Sequence, residues 1–141
     1  MVLRKLFVEV KLYFNPVGTG GVDFWEQPEH AGWMEKQGEE VRKAYERRWF
    51  VMKRGKIFWF SDDRVTPSSK ARGLIDTEHI ESVKSAEDAT GDPNSFEISL
   101  LGNKTRYFKC ESWTAKEEWI RRIAKAIVKN SRIPSSRRGE V

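Results

Sequence analysis

Alternation of apolar and polar residues dominates the middle of the chain, between Gly32 and Glu111. Short stretches of this kind are separated by glycine, proline, asparagine and aspartate, which is typical of antiparallel strands joined by turns. Arg54 and Gly55 are expected to form a tight hairpin turn. The pattern predicts seven strands, at 32–38, 44–53, 56–61, 72–76, 80–85, 95–100 and 106–111. Strands in such a series indicate an antiparallel barrel or sandwich.

After Glu111 the apolar residues recur at helical spacing instead. One stripe of this segment carries Trp119, Ile120, Ile123 and Ile127. Lysine and arginine occupy the other faces, so we predict one amphipathic helix over 113–130. Thr114 and Glu117 are expected to cap its first turn. Packing against the strands is favoured over a membrane-surface or calmodulin-target role, because the strand series needs an element to close it.

The two ends of the chain differ from this central region. Residues 1–14 mix apolar and charged side chains, and we interpret them as a short packing helix rather than a transit peptide. A turn-rich linker follows at 15–21. We therefore expect a globular domain at 29–130, between an N-terminal segment at 1–28 and a basic, disordered tail at 131–141.

The distribution of charge along the chain indicates an anionic partner. The chain has 141 residues, the length of one domain, and its 26 Lys and Arg against 21 Asp and Glu give a formal net charge of +5. From Lys36 to Lys56, basic residues outnumber acidic ones by eight to three. A local positive field of this kind favours a phosphate-rich lipid or a nucleic acid as partner.

Several classes of function are disfavoured by the same inspection. Cys110 is the single cysteine, which excludes an intramolecular disulfide and favours a reducing, cytoplasmic setting. His30 and His79 are isolated, and the chain has neither a nucleophile elbow nor a phosphate-binding glycine loop. We therefore expect no catalytic residues, no metal and no cofactor. No apolar run is long enough to span a bilayer, so any membrane contact is expected to be peripheral.

Ordered sequence pieces between Gly32 and Lys129 resemble the pleckstrin homology (PH) domain family. They are GWMEKQG, a variable loop, RRWFVMKRGKIFWF, RGLI and KEEWIRRI. The preceding GVDFWEQPEHAGW is similar to small plant and algal proteins that consist of little beyond a PH domain. The resemblance implies a mainly β fold with one α-helix, in which a seven-stranded bent antiparallel barrel or sandwich is capped by a C-terminal amphipathic helix. It also implies a non-enzymatic module that binds phosphoinositides on membranes, with endosomal membranes favoured, in signalling or trafficking.

The headgroup site can be placed from side-chain parity, the alternation of successive side chains between the two faces of a strand. Met34 and Lys36 share one face of the first predicted strand, and Arg48 and Phe50 share one face of the second. Because these strands form a hairpin, we expect Lys36 and Arg48 side by side at the mouth of the barrel. Arginine can donate two parallel hydrogen bonds to a phosphate, and lysine adds a mobile charge. The alternative is a pair of solvated surface charges.

The resemblance implies further residues for this site. They are Arg72 in RGLI, Arg42 and Lys43 in the first loop, and Trp59 where some relatives have a headgroup-binding tyrosine. Donation by the Trp59 indole N–H and simple packing both remain open. Val41, near the tip of the first loop, is expected to contact the lipid surface. Glu46 replaces a basic residue of the family pattern, so we expect a monophosphorylated lipid, first phosphatidylinositol 3-phosphate, over a trisphosphate.

Two other functions compete with lipid binding. The first is a protein-interaction domain of the same superfold, with a basic mouth that is incidental and lipid binding that is weak or absent. The second is nucleic-acid binding, suggested by positive charge interleaved with tryptophan and phenylalanine. No RNA-recognition signature, zinc-finger spacing or recognition helix accompanies that charge, so nucleic acid is disfavoured.

Overall fold

The structure is a computed structural model that describes residues 20–37 and 44–131. Its strands are β1 His30–Gln37, β2 Tyr45–Lys53, β3 Lys56–Phe60, β4 Gly73–Asp76, β5 Ile80–Ser85, β6 Ser95–Leu100 and β7 Lys104–Lys109. A single 3-10 turn, Thr77–His79, links β4 to β5. The helices are α1 Glu87–Thr90 and α2 Trp113–Ser131. No helix in the described ranges is long and apolar enough to cross a bilayer.

All seven strands belong to one antiparallel sheet with the order β4-β3-β2-β1-β7-β6-β5. Ile75 from one edge strand and Ile80 from the other join the same buried cluster as Phe50 and Trp119. Residues of opposite sheet edges can share a core only if the sheet bends around it. This arrangement, with α2 after the last strand, confirms the predicted bent antiparallel fold with a C-terminal helix.

The β2–β3 turn has the predicted conformation. Lys53 pairs with Lys56, which leaves Arg54 and Gly55 as a two-residue loop. Both loop residues have positive φ, 51° and 74°. This is the type I′ geometry whose twist matches that of the flanking strands, and glycine at the second position adopts it without steric cost.

The apolar stripe of α2 closes the core as predicted. Trp119 and Ile123 are buried, and Ile120 and Ile127 pack partly against the same cluster. The Trp119 ring meets Phe50 edge-on, with 6.4 Å between ring centroids. Aromatic and branched side chains of this size contribute most of the apolar area that a small domain buries.

The N-cap of the helix lies two residues before the predicted cap. The Ser112 hydroxyl accepts a hydrogen bond from the Ala115 N–H at 3.0 Å, and the Ser112 carbonyl accepts from the Lys116 N–H at 3.1 Å. Ser112 is therefore the N-cap, and the predicted capping box of Thr114 and Glu117 is wrong. Both residues lie inside the helix. Ser112 and Thr114 are two residues apart, and each has a hydroxyl that can cap a helix. Only the backbone conformation shows which of them is the N-cap.

A buried lysine on α2 was not predicted. The Lys116 side chain is 2% exposed, and its Nζ donates to Ser85 Oγ at 2.8 Å and to the Pro93 carbonyl at 2.7 Å. These hydrogen bonds connect the helix to the end of β5 and to the β5–β6 connection. A stripe defined by apolar residues alone does not reveal a lysine whose donors are satisfied after folding.

A second apolar layer covers the outer face of the sheet. Val22 and Phe24 precede β1 and are buried against Val51 and Phe58, which point away from the main core. Lys53 holds this segment in place, because its Nζ lies 3.0 Å from the Asp23 carboxylate and also donates to the Asp23 carbonyl. Both faces of the β2–β3 hairpin are therefore covered.

Some predictions lie outside the described residues. These are the N-terminal helix at 1–14, most of the linker at 15–21, the tail beyond Ser131, and the first-loop residues Val41, Arg42 and Lys43.

Replacement of Phe24 tests the outer layer. Phe24 is 4% exposed and contacts the rings of Phe58 and Phe60, so Phe24→Ala is expected to lower the free energy of unfolding by about 3 kcal/mol. Trp25→Ala, at a neighbour that is 38% exposed, should cost less than about 1 kcal/mol. Urea denaturation measures both values. Equal losses for the two variants would contradict the assignment of Phe24 to a packed layer.

Candidate functional site

The site begins with a lysine in the wall of the core. Lys36 lies opposite Phe108 on β7 and opposite Glu46 on β2, and it shares the inner face of β1 with Met34. Its side chain is 7% exposed, although lysine is seldom buried. The Nζ donates to the Gln37 carbonyl at 3.2 Å and lies 5.3 Å from the centroid of the Trp59 ring. That distance is within the range of a cation–π interaction.

The Lys36 side chain lines a cavity of about 410 Å³ between β4 and the β6–β7 hairpin. Lys104 and Arg106 of β7 line the same cavity, together with His79. Arg106 shares the inner face of β7 with Phe108, whose partner on β1 is Lys36. Three cations from two adjacent strands therefore line one concavity, together with Asp76, which is paired with Lys56, and a wall of apolar side chains. The wall comprises Trp59, Leu74, Ile75, Leu100, Leu101 and Phe108.

Lys104 and Arg106 were not predicted as site residues. Parity identifies the residues of one strand that share a face, but it does not reveal which distant strand pairs with β1. The available indication was the alternation of Lys104, Arg106 and Phe108. It becomes informative only once β7 is known to lie beside β1.

Trp59 is placed by a glycine on the neighbouring strand. Gly73 pairs with Trp59 across β3 and β4, and a Cβ at Gly73 would lie 1.9 Å from Trp59 Cζ2. The indole ring therefore occupies the space that a side chain at position 73 would need. The ring is packed in this position and lies near the Lys36 ammonium, while donation by the indole N–H to a headgroup stays a prediction.

Arg48 lies on the predicted face, but its charge is engaged. It is the direct partner of Met34 and the diagonal neighbour of Lys36 across β1 and β2. The guanidinium donates to the Arg47 carbonyl at 2.9 Å and lies 3.6 Å from Glu46 Oε1. Glu46, the strand partner of Lys36, thus places a carboxylate beside Arg48. Arg48 does not line the cavity that Lys36 faces.

Arg72 immediately precedes β4, which lies farther from β1 in the sheet than β3, the strand of Trp59. Its backbone N–H donates to the Trp59 carbonyl at 2.7 Å, and its exposed guanidinium donates to Ser61 Oγ at 3.3 Å. Arg72 is also absent from the lining of the cavity. The structure therefore brings Lys36 and Trp59 together directly, places Arg48 next to them, and leaves Arg72 on the adjoining β3–β4 connection.

The basic run from Lys36 to Lys56 does not form one patch. Arg47 stacks on Trp33 of the outer face, with 3.9 Å from its guanidinium carbon to the ring centroid, and pairs with Glu111. Lys53 pairs with Asp23, and Lys56 with Asp76, each at 3.0 Å. Period-2 alternation sends neighbouring cations to opposite faces, so the local excess of charge is divided between them.

Cys110 and His30, which were considered for other chemistry, are packed into the fold. Cys110 is buried, and burial raises the pKa of its thiol to about 12, which keeps it protonated at neutral pH. His30 packs edge-on against Trp119. Burial, with the nearby Arg122, lowers the pKa of His30 below the ordinary value. Across residues 20–37 and 44–131, no group of three His, Cys, Asp or Glu side chains is arranged to hold a metal ion.

Comparison with known proteins decides the family. The family model described as PH domain matches residues 28–128, which include every strand and most of α2. The chain belongs to the PH domain family. Pleckstrin homology domain-containing protein 1 of Arabidopsis thaliana is 43% identical over 114 residues, which are 79% of this chain and 77% of that protein. These matches confirm the resemblance inferred from the sequence.

Solved structures with this fold include ligand complexes. The Slm1 PH domain in complex with D-myo-inositol-4-phosphate has a TM-score of 0.61 at 14% identity, over 71% of this chain and 97% of that one. The C-terminal PH domain of pleckstrin in complex with D-myo-Ins(1,2,3,4,5)P5 has a TM-score of 0.56 at 22% identity, over 71% and 98%. At these identities the likeness shows the fold, and the bound inositol phosphates belong to those proteins.

The contact between Gly73 and Trp59 yields a prediction that does not depend on a ligand. Gly73→Ala should lower the free energy of unfolding of this PH domain by about 1–3 kcal/mol, because the new methyl group overlaps the indole ring. In a Trp59→Leu background the same change should cost much less, and the difference is the coupling energy of a double-mutant cycle. Urea denaturation of the four proteins measures it.

Gly32→Ala is the matched control for that cycle. A Cβ at Gly32 would lie 3.6 Å from Trp119 Nε1, which is ordinary van der Waals contact, so this alanine should be tolerated. An equal cost of Gly73→Ala with and without Trp59 would show that the ring does not occupy the space above Gly73.

Proposed function

We propose that this PH domain binds the phosphorylated inositol headgroup of a membrane lipid and thereby attaches to the membrane surface as a peripheral protein. The observation that carries the proposal is the convergence of Lys36, Lys104 and Arg106 on one cavity of about 410 Å³. Cavities of small-molecule sites have volumes of roughly 300–1,000 Å³. Lysine and arginine are the side chains that recognise phosphate by charge-assisted hydrogen bonds.

The burial of Lys36 supports this assignment. A buried ammonium interacts with an anion through a medium of lower dielectric than water, so each charge pair is stronger there than on an open surface. Trp59 limits the positions of the Lys36 side chain, which reduces the entropy lost when a phosphate is bound. The cavity therefore combines positive charge with a side chain that is already oriented.

Other cations extend the proposed site beyond the cavity. Arg48 lies on β2 diagonally across from Lys36, and Arg72 lies in the β3–β4 connection next to Trp59, and we include both in the headgroup site. Arg42 and Lys43 are proposed to add attraction from the first loop, and Val41 to contact the lipid. Basic residues near an anionic membrane contribute about 1 kcal/mol each.

Glu46 is the basis for a preference among headgroups. Its carboxylate lies beside Arg48 and opposite Lys36, where it offsets part of the positive charge. A headgroup with one phosphomonoester meets less repulsion there than one with three. We propose a monophosphorylated lipid, with phosphatidylinositol 3-phosphate first, and hence a cytoplasmic protein on endosomal membranes.

Vesicle co-sedimentation at physiological salt, with a panel of vesicles that differ only in their phosphoinositide, tests the proposal. Lys36→Ala combined with Arg106→Ala should lower the affinity for phosphoinositide vesicles at least about tenfold, since a hydrogen bond to a charged group contributes about 1.5–3 kcal/mol. Lys125→Ala combined with Lys129→Ala removes the same charge from exposed positions on α2 and should change the affinity about threefold or less.

Thermal unfolding of both double variants establishes that each remains folded. Equal losses of binding in the two variants would show nonspecific electrostatic adsorption instead of a headgroup site. If the unaltered protein binds none of the phosphoinositide vesicles, the result would favour the protein-interaction alternative.

Glu46→Gln tests the headgroup preference. Loss of the carboxylate should raise the affinity for trisphosphate vesicles about three- to fivefold and leave that for monophosphate vesicles within about twofold, because the repulsion grows with headgroup charge. Glu81→Gln, on the exposed side of β5, provides the control. A trisphosphate preference of the unaltered protein would refute the role given to Glu46.

A further inference from the structure

An exposed leucine lies at the edge of the proposed headgroup cavity. Leu101 follows β6 directly, its side chain is 54% exposed, and it contributes to the lining of the cavity. Three other large apolar side chains are exposed in the described part of the chain, Trp25, Trp113 and Val128. None of these three lines the cavity. A lone exposed leucine needs no explanation by itself, so its position beside the cavity is the informative observation.

The backbone presents this leucine in a defined position. The Leu101 N–H donates to the His79 carbonyl at 3.0 Å, which extends the pairing of β5 with β6 by one residue. Gly102 and Asn103 then turn the chain with positive φ, 85° and 61°. A turn whose backbone is held by a hydrogen bond at its base loses little backbone entropy when it enters a new environment.

The neighbours of Leu101 have the charge that an anionic surface requires. Lys104 pairs with Leu100 at the base of the same turn, and Lys104 and Arg106 face the cavity. Cations next to an exposed apolar side chain are the composition of segments that lie in the membrane interface. The lysine and arginine draw the loop to anionic lipid, and the leucine removes its apolar surface from water.

We propose that Leu101 is a membrane anchor of this domain, which enters the interfacial layer of the bilayer while an inositol phosphate headgroup lies in the adjacent cavity. This inference rests on the proposed function and adds a second contact to it. The headgroup supplies specificity through Lys36 and its neighbours. Leu101, at the edge of the cavity, contributes mainly affinity for the bilayer.

The two contacts can be separated with a neutral substitution. Leu101→Asn removes the apolar surface without a change of charge. It should lower the affinity for phosphatidylcholine vesicles that contain phosphatidylinositol 3-phosphate about tenfold. Because Leu101 lies at the edge of the cavity and is 54% exposed, the affinity of this variant for soluble inositol 1,3-bisphosphate, the headgroup of that lipid, should fall much less than its affinity for vesicles, so that the ratio of the two affinities reports the membrane contact. Val128→Asn, at an apolar position on α2 that is 51% exposed, should leave both affinities unchanged.

A direct readout of insertion complements the binding measurements. Leu101→Cys and Val128→Cys can each carry an environment-sensitive fluorophore, because Cys110 is buried and resists labelling. On addition of the same vesicles, emission should shift to the blue at position 101 and stay constant at position 128.

The outcomes distinguish the two proposals. If the unaltered protein binds neither vesicles nor the soluble headgroup, the proposed function fails and the anchor fails with it. If it binds both and Leu101→Asn is indistinguishable from it on vesicles, the anchor alone is overturned. Equal losses on vesicles and on the soluble headgroup would also overturn the anchor, because Leu101 would then act on the cavity.

Discussion

A charged side chain in the wall of an apolar core is the constraint on which the geometry of this PH domain depends. Lys36 shares its face of the sheet with Met34 and lies opposite Phe108, and both of these are buried. Its ammonium has to reach a polar or aromatic partner, since an isolated charge is strongly disfavoured in an apolar interior. The Trp59 ring is such a partner, and it occupies its position because residue 73 is a glycine.

The β2–β3 hairpin is a firm support for Trp59 because both of its faces are covered. On the inner face, α2 inserts Trp119 and Ile123 into the main core. On the outer face, Val22 and Phe24 pack over β2 and β3. Strands packed on two sides resist displacement more than an exposed hairpin does, since interiors are dense and transmit strain. The Trp59 side chain therefore extends from a fixed strand.

Electrostatics in this domain follow from the assignment of side chains to faces more than from net charge. Arg47 and Arg48 are neighbours in sequence, yet one stacks on Trp33 outside the sheet and the other pairs with Glu46 on the inner face. Lys36 meets Lys104 and Arg106, which are distant in sequence. Cations that line one cavity from separate strands create a local positive potential that neither net charge nor sequence position reveals.

The sequence by itself determined the elements that depend on local pattern. Alternation of side chains identified the strands, the Arg54–Gly55 dipeptide identified a tight hairpin turn, and period 3.6 identified α2, because each signal lies within a few residues. The same parity placed Lys36 and Arg48 on one face. The contacts that those side chains make depend on the tertiary structure. The pairing of β7 with β1, the space that Gly73 leaves for Trp59, and the contact of Lys116 with Ser85 each join residues far apart in sequence. Such contacts are set by packing of the whole chain and have no local pattern from which to predict them.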